Sequence, residues 1–111
     1  LTTLLERQIK VYSKSLPIYV TENGMANKDK IINDLIDDYQ RIKYFELHLD
    51  EVRNLINNKA PIKGFFVWSL LDNFEWAFGY DKRFGLVHVN FDSQKRTPKK
   101  SYYAFKDALT N

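Results

Sequence analysis

The sequence predicts an α/β fold that is incomplete on its own. Three observations predict it. The first extended segment, Pro17-Ile18-Tyr19-Val20-Thr21, hardly alternates in polarity, as a strand covered on both faces of a parallel sheet does. The next extended segment follows a long helical stripe of the kind that connects parallel strands. A carboxylate, Glu22, stands just past the first strand, at the end where α/β folds carry their reactive groups.

Residues 2–15 read as a helix. Thr3 and Glu6 have the spacing of a capping box. Leu5, Ile9 and Tyr12 fall on one face, with Leu16 a turn further on, and Pro17 stops the helix. The strand that follows is rich in β-branched and aromatic residues, and Glu22-Asn23-Gly24 ends it. Asn-Gly is also a hairpin signal, but Met25 to Lys30 supply no matching strand. Residues 28–37, with Ile31, Ile32, Leu35 and Ile36, read as a short helix or a packed loop.

From Asp38 the pattern is clearer. Ile42, Phe45, Leu49, Val52 and Ile56 step by three and four, which makes one apolar helical face. Asp37 or Asp38 can cap its start. Arg41, Lys43, Glu46, Asp50 and Arg53 lie mostly off that face and are expected in solvent. Asn57-Asn58 ends this crossover helix and Pro61 prevents its return. A second strand runs from about Lys63 to Ser69. A third extended segment, residues 86–91, is apolar at alternate positions. Asp92 to Arg96 is a turn, and Thr97 caps a last helix with Pro98 at its first position. Tyr102, Phe105 and Leu109 should face inward.

Two parallel strands leave most of their edges unpaired. A complete barrel of this class needs eight strands and about 250 residues, against 111 here. The chain is therefore expected to be a piece of a larger barrel, or a fragment that pairs with another chain.

Composition narrows the function. The apolar fraction is 44% and the aromatic fraction 15%, enough for a real core. The net charge of +3 comes from many acidic and basic residues with no long basic run, so nucleic acid is not an expected partner. No run is long enough to cross a bilayer, so no membrane partner is expected either. Residues 1–16 mix charge with apolarity and lack a signal-peptide pattern. The absence of cysteine excludes disulfides and thiolate metal sites and suits a reducing, cytoplasmic compartment. His48 and His88 have no ligand spacing around them and read as packed or solvated, not as metal ligands.

The chemistry concentrates between Gly64 and Gly85. Of the chain's 8 Phe, 7 Tyr and 2 Trp, eight lie in this stretch: Phe65, Phe66, Trp68, Phe74, Trp76, Phe78, Tyr80 and Phe84. A core strand needs apolar residues, but not a carboxylate set between Phe74 and Trp76. A flat apolar surface beside Glu75 suits a sugar, which has C–H groups on its faces and hydroxyls at its edge. The plainer alternative is a buried strand followed by an aromatic loop that packs.

Longer motifs make the pattern specific. Pro17-Ile-Tyr-Val-Thr-Glu-Asn-Gly24, Phe66-Val-Trp-Ser-Leu-Leu-Asp-Asn-Phe-Glu-Trp76 and Arg83-Phe84-Gly85 together resemble glycoside hydrolase family 1. Asp38-x-x-Arg41-Ile42 with His48-Leu49, and Arg96-Thr97-Pro98-Lys99, follow the same family order. That family holds β-glucosidases, β-galactosidases and relatives on a (β/α)8 barrel. The resemblance covers nearly the whole chain. It implies that residues 1–111 are the C-terminal part of one catalytic domain, from the helix before strand seven to the last helix.

The resemblance also implies a mechanism. Glu22 would be the nucleophile of a retaining glycosidase, working with a second carboxylate about 5–5.5 Å away that protonates the leaving oxygen. To stay ionised, Glu22 needs a cation or hydrogen-bond donors, and no arginine of this chain is an obvious candidate. Glu75 would accept hydrogen bonds from hydroxyls at the far end of the glycone, and Trp76 would donate its indole N–H to another. Trp68 would form an apolar wall and Phe84 would pack near the hydroxymethyl end. No cofactor is implied. Relatives acting on 6-phosphorylated sugars usually lack the Glu at position 75 and carry Tyr where Phe84 stands. A carboxylate there repels a phosphate, which points to neutral hexosides, glucose first.

The family's Thr-x-Asn-Glu-Pro segment, which bears the acid/base carboxylate, is absent from these residues. The partners implied are thus a β-glycoside and the missing N-terminal part of the barrel, on the same or a separate chain. Three alternatives stay open. One is a non-catalytic sugar- or protein-binding relative, or one that uses an external base. Another is a 6-phospho-β-glycosidase. The third is a small α/β module whose aromatic loop docks a protein.

Overall fold

A computed structural model describes residues 1–110. The chain opens with α1 (Thr2–Gln8), which runs into a single wider π-helical turn at Ile9–Ser13 and ends at Lys14, whose φ is 49°. Strand β1 (Ile18–Asn23) follows, then two very short strands, β2 (Ile31–Ile32) and β3 (Leu35–Ile36). The long helix α2 (Tyr39–Asn57) leads to β4 (Ile62–Val67). A loop with one 3-10 turn at Trp76–Phe78 precedes β5 (Val87–Val89), β6 (Arg96–Pro98) and α3 (Lys100–Thr110).

β1 and β4 pair in parallel, so α2 is the crossover that the apolar stripe predicts. The core forms where α1 and α2 meet this sheet. Leu5, Val52, Leu55 and Ile62 are buried together, with Ile18, Val20 and Phe65 packed against them. At the other end of α2, Phe45 meets Phe105 of α3 with ring centroids 5.7 Å apart. The two histidines differ: His48 stacks on Tyr44 with centroids 3.9 Å apart, and His88 is buried in β5.

Several expectations need correction. Thr3 does not cap α1: the residue at the cap position is Leu1, with no side-chain bond, and the Thr2 N–H donates to Glu51 Oε2 at 3.0 Å. Tyr12, Leu16 and Leu109 are exposed, because none of the described residues covers the faces they occupy. Nor is β1 covered on both sides; Tyr19 is more than half exposed, since the sheet has only two strands. Residues 28–37 form neither the short helix nor the packed loop expected of them. Ile31-Ile32 and Leu35-Ile36 make a tiny antiparallel hairpin. Its two-residue turn, Asn33-Asp34, has φ of 51° and 59°, a left-handed pair that Asn and Asp tolerate best among residues with side chains.

The start of α3 differs as well. Thr97 and Pro98 belong to β6, which pairs antiparallel with β5, and the helix begins only at Lys100. Proline is accommodated because β6 is an edge strand, where a missing N–H costs no ladder bond. The cap comes from a distant segment: Asp38 Oδ1 accepts the Ser101 N–H at 2.9 Å. Asp38 does precede α2, but its side chain makes no capping bond there.

Arg41 is the largest correction. Expected in solvent, it is fully buried. It bonds Asp38, Asp29 and, at 2.7 Å, the Arg83 carbonyl oxygen. Lys99, also fully buried, bonds Asp29 and lies 2.8 Å from Asp72 Oδ1. Arg83 completes the cluster at 2.9 Å from Asp72 Oδ2. Burying single charges costs several kcal/mol each. Here three carboxylates, Asp29, Asp38 and Asp72, meet three cations, so the cluster is neutral and rich in hydrogen bonds.

Candidate active site

Glu22 lies within β1, one residue before its end, and is exposed. Its placement depends on a slip in register. Val20 pairs with Phe65 and Asn23 with Val67, so β1 spends one residue more than β4 between those pairs. The extra residue breaks the alternation of the strand, and Thr21 and Glu22 both end up exposed. Bulges of this kind re-aim side chains next to functional sites.

β4 enters the site from beside β1. The Trp68 N–H donates to the Asn23 carbonyl at 2.8 Å, which extends the ladder to the rim. Past Trp68 the chain turns away and comes back through the aromatic loop. The Glu75 N–H donates to the Gly79 carbonyl at 2.7 Å, and the Phe78 N–H to the Glu75 carbonyl at 2.8 Å. This tight turn leaves Trp76 84% exposed, with its indole free of protein packing. The loop is braced from outside by Phe74 on Tyr80 and Tyr80 on Phe91, with centroids 5.5 and 4.3 Å apart.

Glu22, Trp68, Glu75, Trp76 and Phe84 all line one open hollow of about 520 Å³. The structure thus brings together every residue singled out from the sequence. It adds two: Asn23 and Gly24 line the same hollow. Gly24 is there for space. A Cβ on it would stand 1.9 Å from the Trp68 carbonyl oxygen, so no other residue lets the two strand ends approach so closely. The Asn-Gly pair was the sequence signal for this position, although on its own it also fits a hairpin. The Asn23 Oδ1 atom is buried without a hydrogen-bond partner among the described residues. Two carboxylates and three aromatic faces around one hollow can hold a polyhydroxylated ring by its edge and its faces.

Asp38, Arg41, Asp72, Arg83 and Lys99 of the ion cluster beneath the loop all lie in the family motifs, but the motifs do not show that these charges meet. Only Asp38 and Arg41, one helical turn apart, are neighbours along the chain; Asp29 and Lys99 are 70 residues apart.

Comparison with known proteins agrees with these motifs. Residues 1–111 match Glycosyl hydrolase family 1. A protein of Streptococcus equi subsp. zooepidemicus named 6-phospho-beta-galactosidase is 51% identical over 89 residues, covering 80% of this chain and 19% of that protein. One of the same name from Streptococcus mutans is 46% identical over 95 residues, covering 86% and 20%. Among solved structures, the family 1 β-glucosidase of Exiguobacterium antarcticum B7 superposes with a TM-score of 0.95 at 44% identity, covering 98% of this chain and 24% of that one. The β-glucosidase of Thermotoga maritima gives 0.94 at 41% identity, covering 98% and 25%. The chain belongs to glycosyl hydrolase family 1. It spans about a fifth of the length of these curated relatives and about a quarter of the solved structures, which fits part of a (β/α)8 barrel.

Proposed function

We propose that this chain is the C-terminal part of a single family 1 catalytic domain, contributing strands seven and eight, and that the completed barrel is a retaining β-glycosidase. The remainder of the barrel comes from the same polypeptide or a separate chain and supplies the acid/base carboxylate. By itself the chain is inactive. Glu22 attacks the anomeric carbon while the second carboxylate gives its proton to the departing oxygen. Water then cleaves the glycosyl-enzyme with that second group acting as base. Glu75 and Trp76 hold glycone hydroxyls, Trp68 walls the ring and Phe84 packs at its hydroxymethyl end. What supports this reading is one observation: Glu22, Glu75, both tryptophans and Phe84 share a hollow at the C-terminal ends of two parallel strands.

The favoured substrates are neutral β-D-hexosides, since Glu75 sets a negative charge in the hollow. The second reading, a 6-phospho-β-glycosidase, is favoured by the names of the streptococcal relatives. The completed enzyme is expected to turn over 4-nitrophenyl β-glucoside with the higher kcat/KM. Preference for its 6-phosphate would select the second reading. Mass spectrometry with a slow 2-fluoro glycoside tests the nucleophile: the adduct forms on a peptide containing residue 22 and disappears in Glu22→Gln. An adduct that persists in that variant refutes the assignment.

A further inference from the structure

The aromatic loop that carries Glu75, Trp76 and Phe84 is held at its outer side by the Phe74, Tyr80 and Phe91 rings and a bridge between Arg83 and Asn27, and at its base by one buried side chain. Between Leu70 and Phe84 only Asp72 is buried; the aromatic side chains Phe74, Trp76, Phe78 and Tyr80 are all more than half exposed. Asp72 sits three residues before Glu75, and its carboxylate accepts four hydrogen bonds. Oδ1 takes the Gly85 N–H at 2.9 Å and Lys99 Nζ at 2.8 Å. Oδ2 takes Arg83 Nη1 at 2.9 Å and the Val89 N–H at 3.4 Å. The bond to Gly85 closes the loop at its base, between the residues that precede Glu75 and follow Phe84. Lys99 then ties this base to Asp29, in the segment after β1 and Glu22.

Gly85 belongs to the same closure. A Cβ there would meet the Asp72 backbone nitrogen at 2.2 Å and the Leu71 carbonyl carbon at 2.5 Å. Only a glycine lets the two ends of the loop lie this close.

We propose that Asp72 is a positioning residue for glycone recognition: its carboxylate, with Gly85, Arg83 and Lys99, fixes the height of Glu75, Trp76 and Phe84 over Glu22. It touches no substrate. The inference rests on the reading that Glu75 bonds a hydroxyl at the far end of the sugar. Hydrogen bonds to a charged group discriminate only while donor and acceptor stay within a few tenths of an ångström and a favourable angle. A loop loosened at its base loses that discrimination before it loses the sugar.

The test uses the complete barrel and compares kcat/KM for a β-glucoside with that for its 4-deoxy analogue, in wild type, Asp72→Asn, Gly85→Ala and Glu75→Ala. A variant that is merely less folded loses rate on both substrates alike, so the ratio stays. For wild type the ratio should be on the order of 10- to 100-fold, the worth of a hydrogen bond to a charged group. Asp72→Asn should bring it to within about threefold of Glu75→Ala. Where Asp72→Asn does not accumulate in folded form, Gly85→Ala carries the same expectation. A wild-type ratio kept by the positioning variant, while Glu75→Ala collapses it, overturns the proposal and leaves the role of Glu75 standing. A ratio unmoved in Glu75→Ala refutes the role of Glu75 itself, and the positioning proposal with it.

Discussion

At the scale of the residue, His88 illustrates what the ion cluster does to its neighbours. It is buried in β5, and burial pushes its imidazole below the ordinary value near 6.5. The positive Arg83 works in the same direction, while Asp72 opposes it. The folded chain thus refuses a proton that the unfolded chain accepts. Stability from this group is fully present above about 6.5 and is lost as pH falls toward the depressed folded value. Melting temperatures at pH 7.5 and 5.5 should show a larger drop for the wild type than for His88→Gln. Equal drops would remove His88 from the acid sensitivity. From the sequence this histidine reads as packed or solvated, and the structure decides for packed. Arg83, partly exposed, and Lys99, fully buried, come from outside its strand, and nothing local marks them as its neighbours.

At the scale of the element, α2 was the most legible part of the chain. Its apolar positions repeat every three or four residues from Ile42 to Ile56, about four turns, and a long run averages out local exceptions. Phe45 and Val52 are buried as expected, whereas Ile56 is not, and Leu55 is buried in its place. Phe45 joins α2 to α3 through Phe105. Phe45→Ala in the folded protein should cost about 3–5 kcal/mol in denaturant unfolding. Arg53→Ala, which removes an exposed pair with Asp50 at 3.3 Å, should stay within about 0.5 kcal/mol. Similar costs for the two would mean that the α2–α3 contact is not a stability centre. Short elements were harder to read. The hairpin of β2 and β3 has two residues per strand, too few for any period to appear. The Thr97-Pro98 pair fits a helix start and an edge strand equally well, and only the partner strand β5 decides.

At the scale of the whole molecule, the chain is a thin slab. Its radius of gyration is 15.8 Å and its extents are 48 × 33 × 18 Å. A compact domain of this length has a radius of gyration of about 13 Å. Leu4, Val11, Tyr12, Leu16, Phe66 and Leu70 are each more than half exposed, and the parallel sheet has two open edges. Among the described residues no helix is long and apolar enough to cross a membrane, so a lipid bilayer does not account for this surface through a spanning helix. Surface of this extent belongs against more protein. Produced alone, the chain should bind a hydrophobic dye strongly and melt without a sharp transition. Joined to the rest of a family 1 barrel, it should bind little dye and unfold cooperatively. A sharp, dye-free melt of the isolated chain would instead favour an independent interaction module.

The order of the main elements, the parallel pairing of two strands across α2, the family, and the five residues that share the hollow were all legible in the amino-acid string. These follow from periodicity and from motifs that are contiguous in the chain. The register slip that exposes Glu22, the glycine contacts at Trp68 and Asp72, and the burial of Arg41, Lys99 and Asp38 emerge only once the chain is folded. A charged side chain reads as solvated until its partners are known. Here only Asp38 and Arg41 pair within one helical turn, and the other partners lie up to 70 residues away, brought together by the fold.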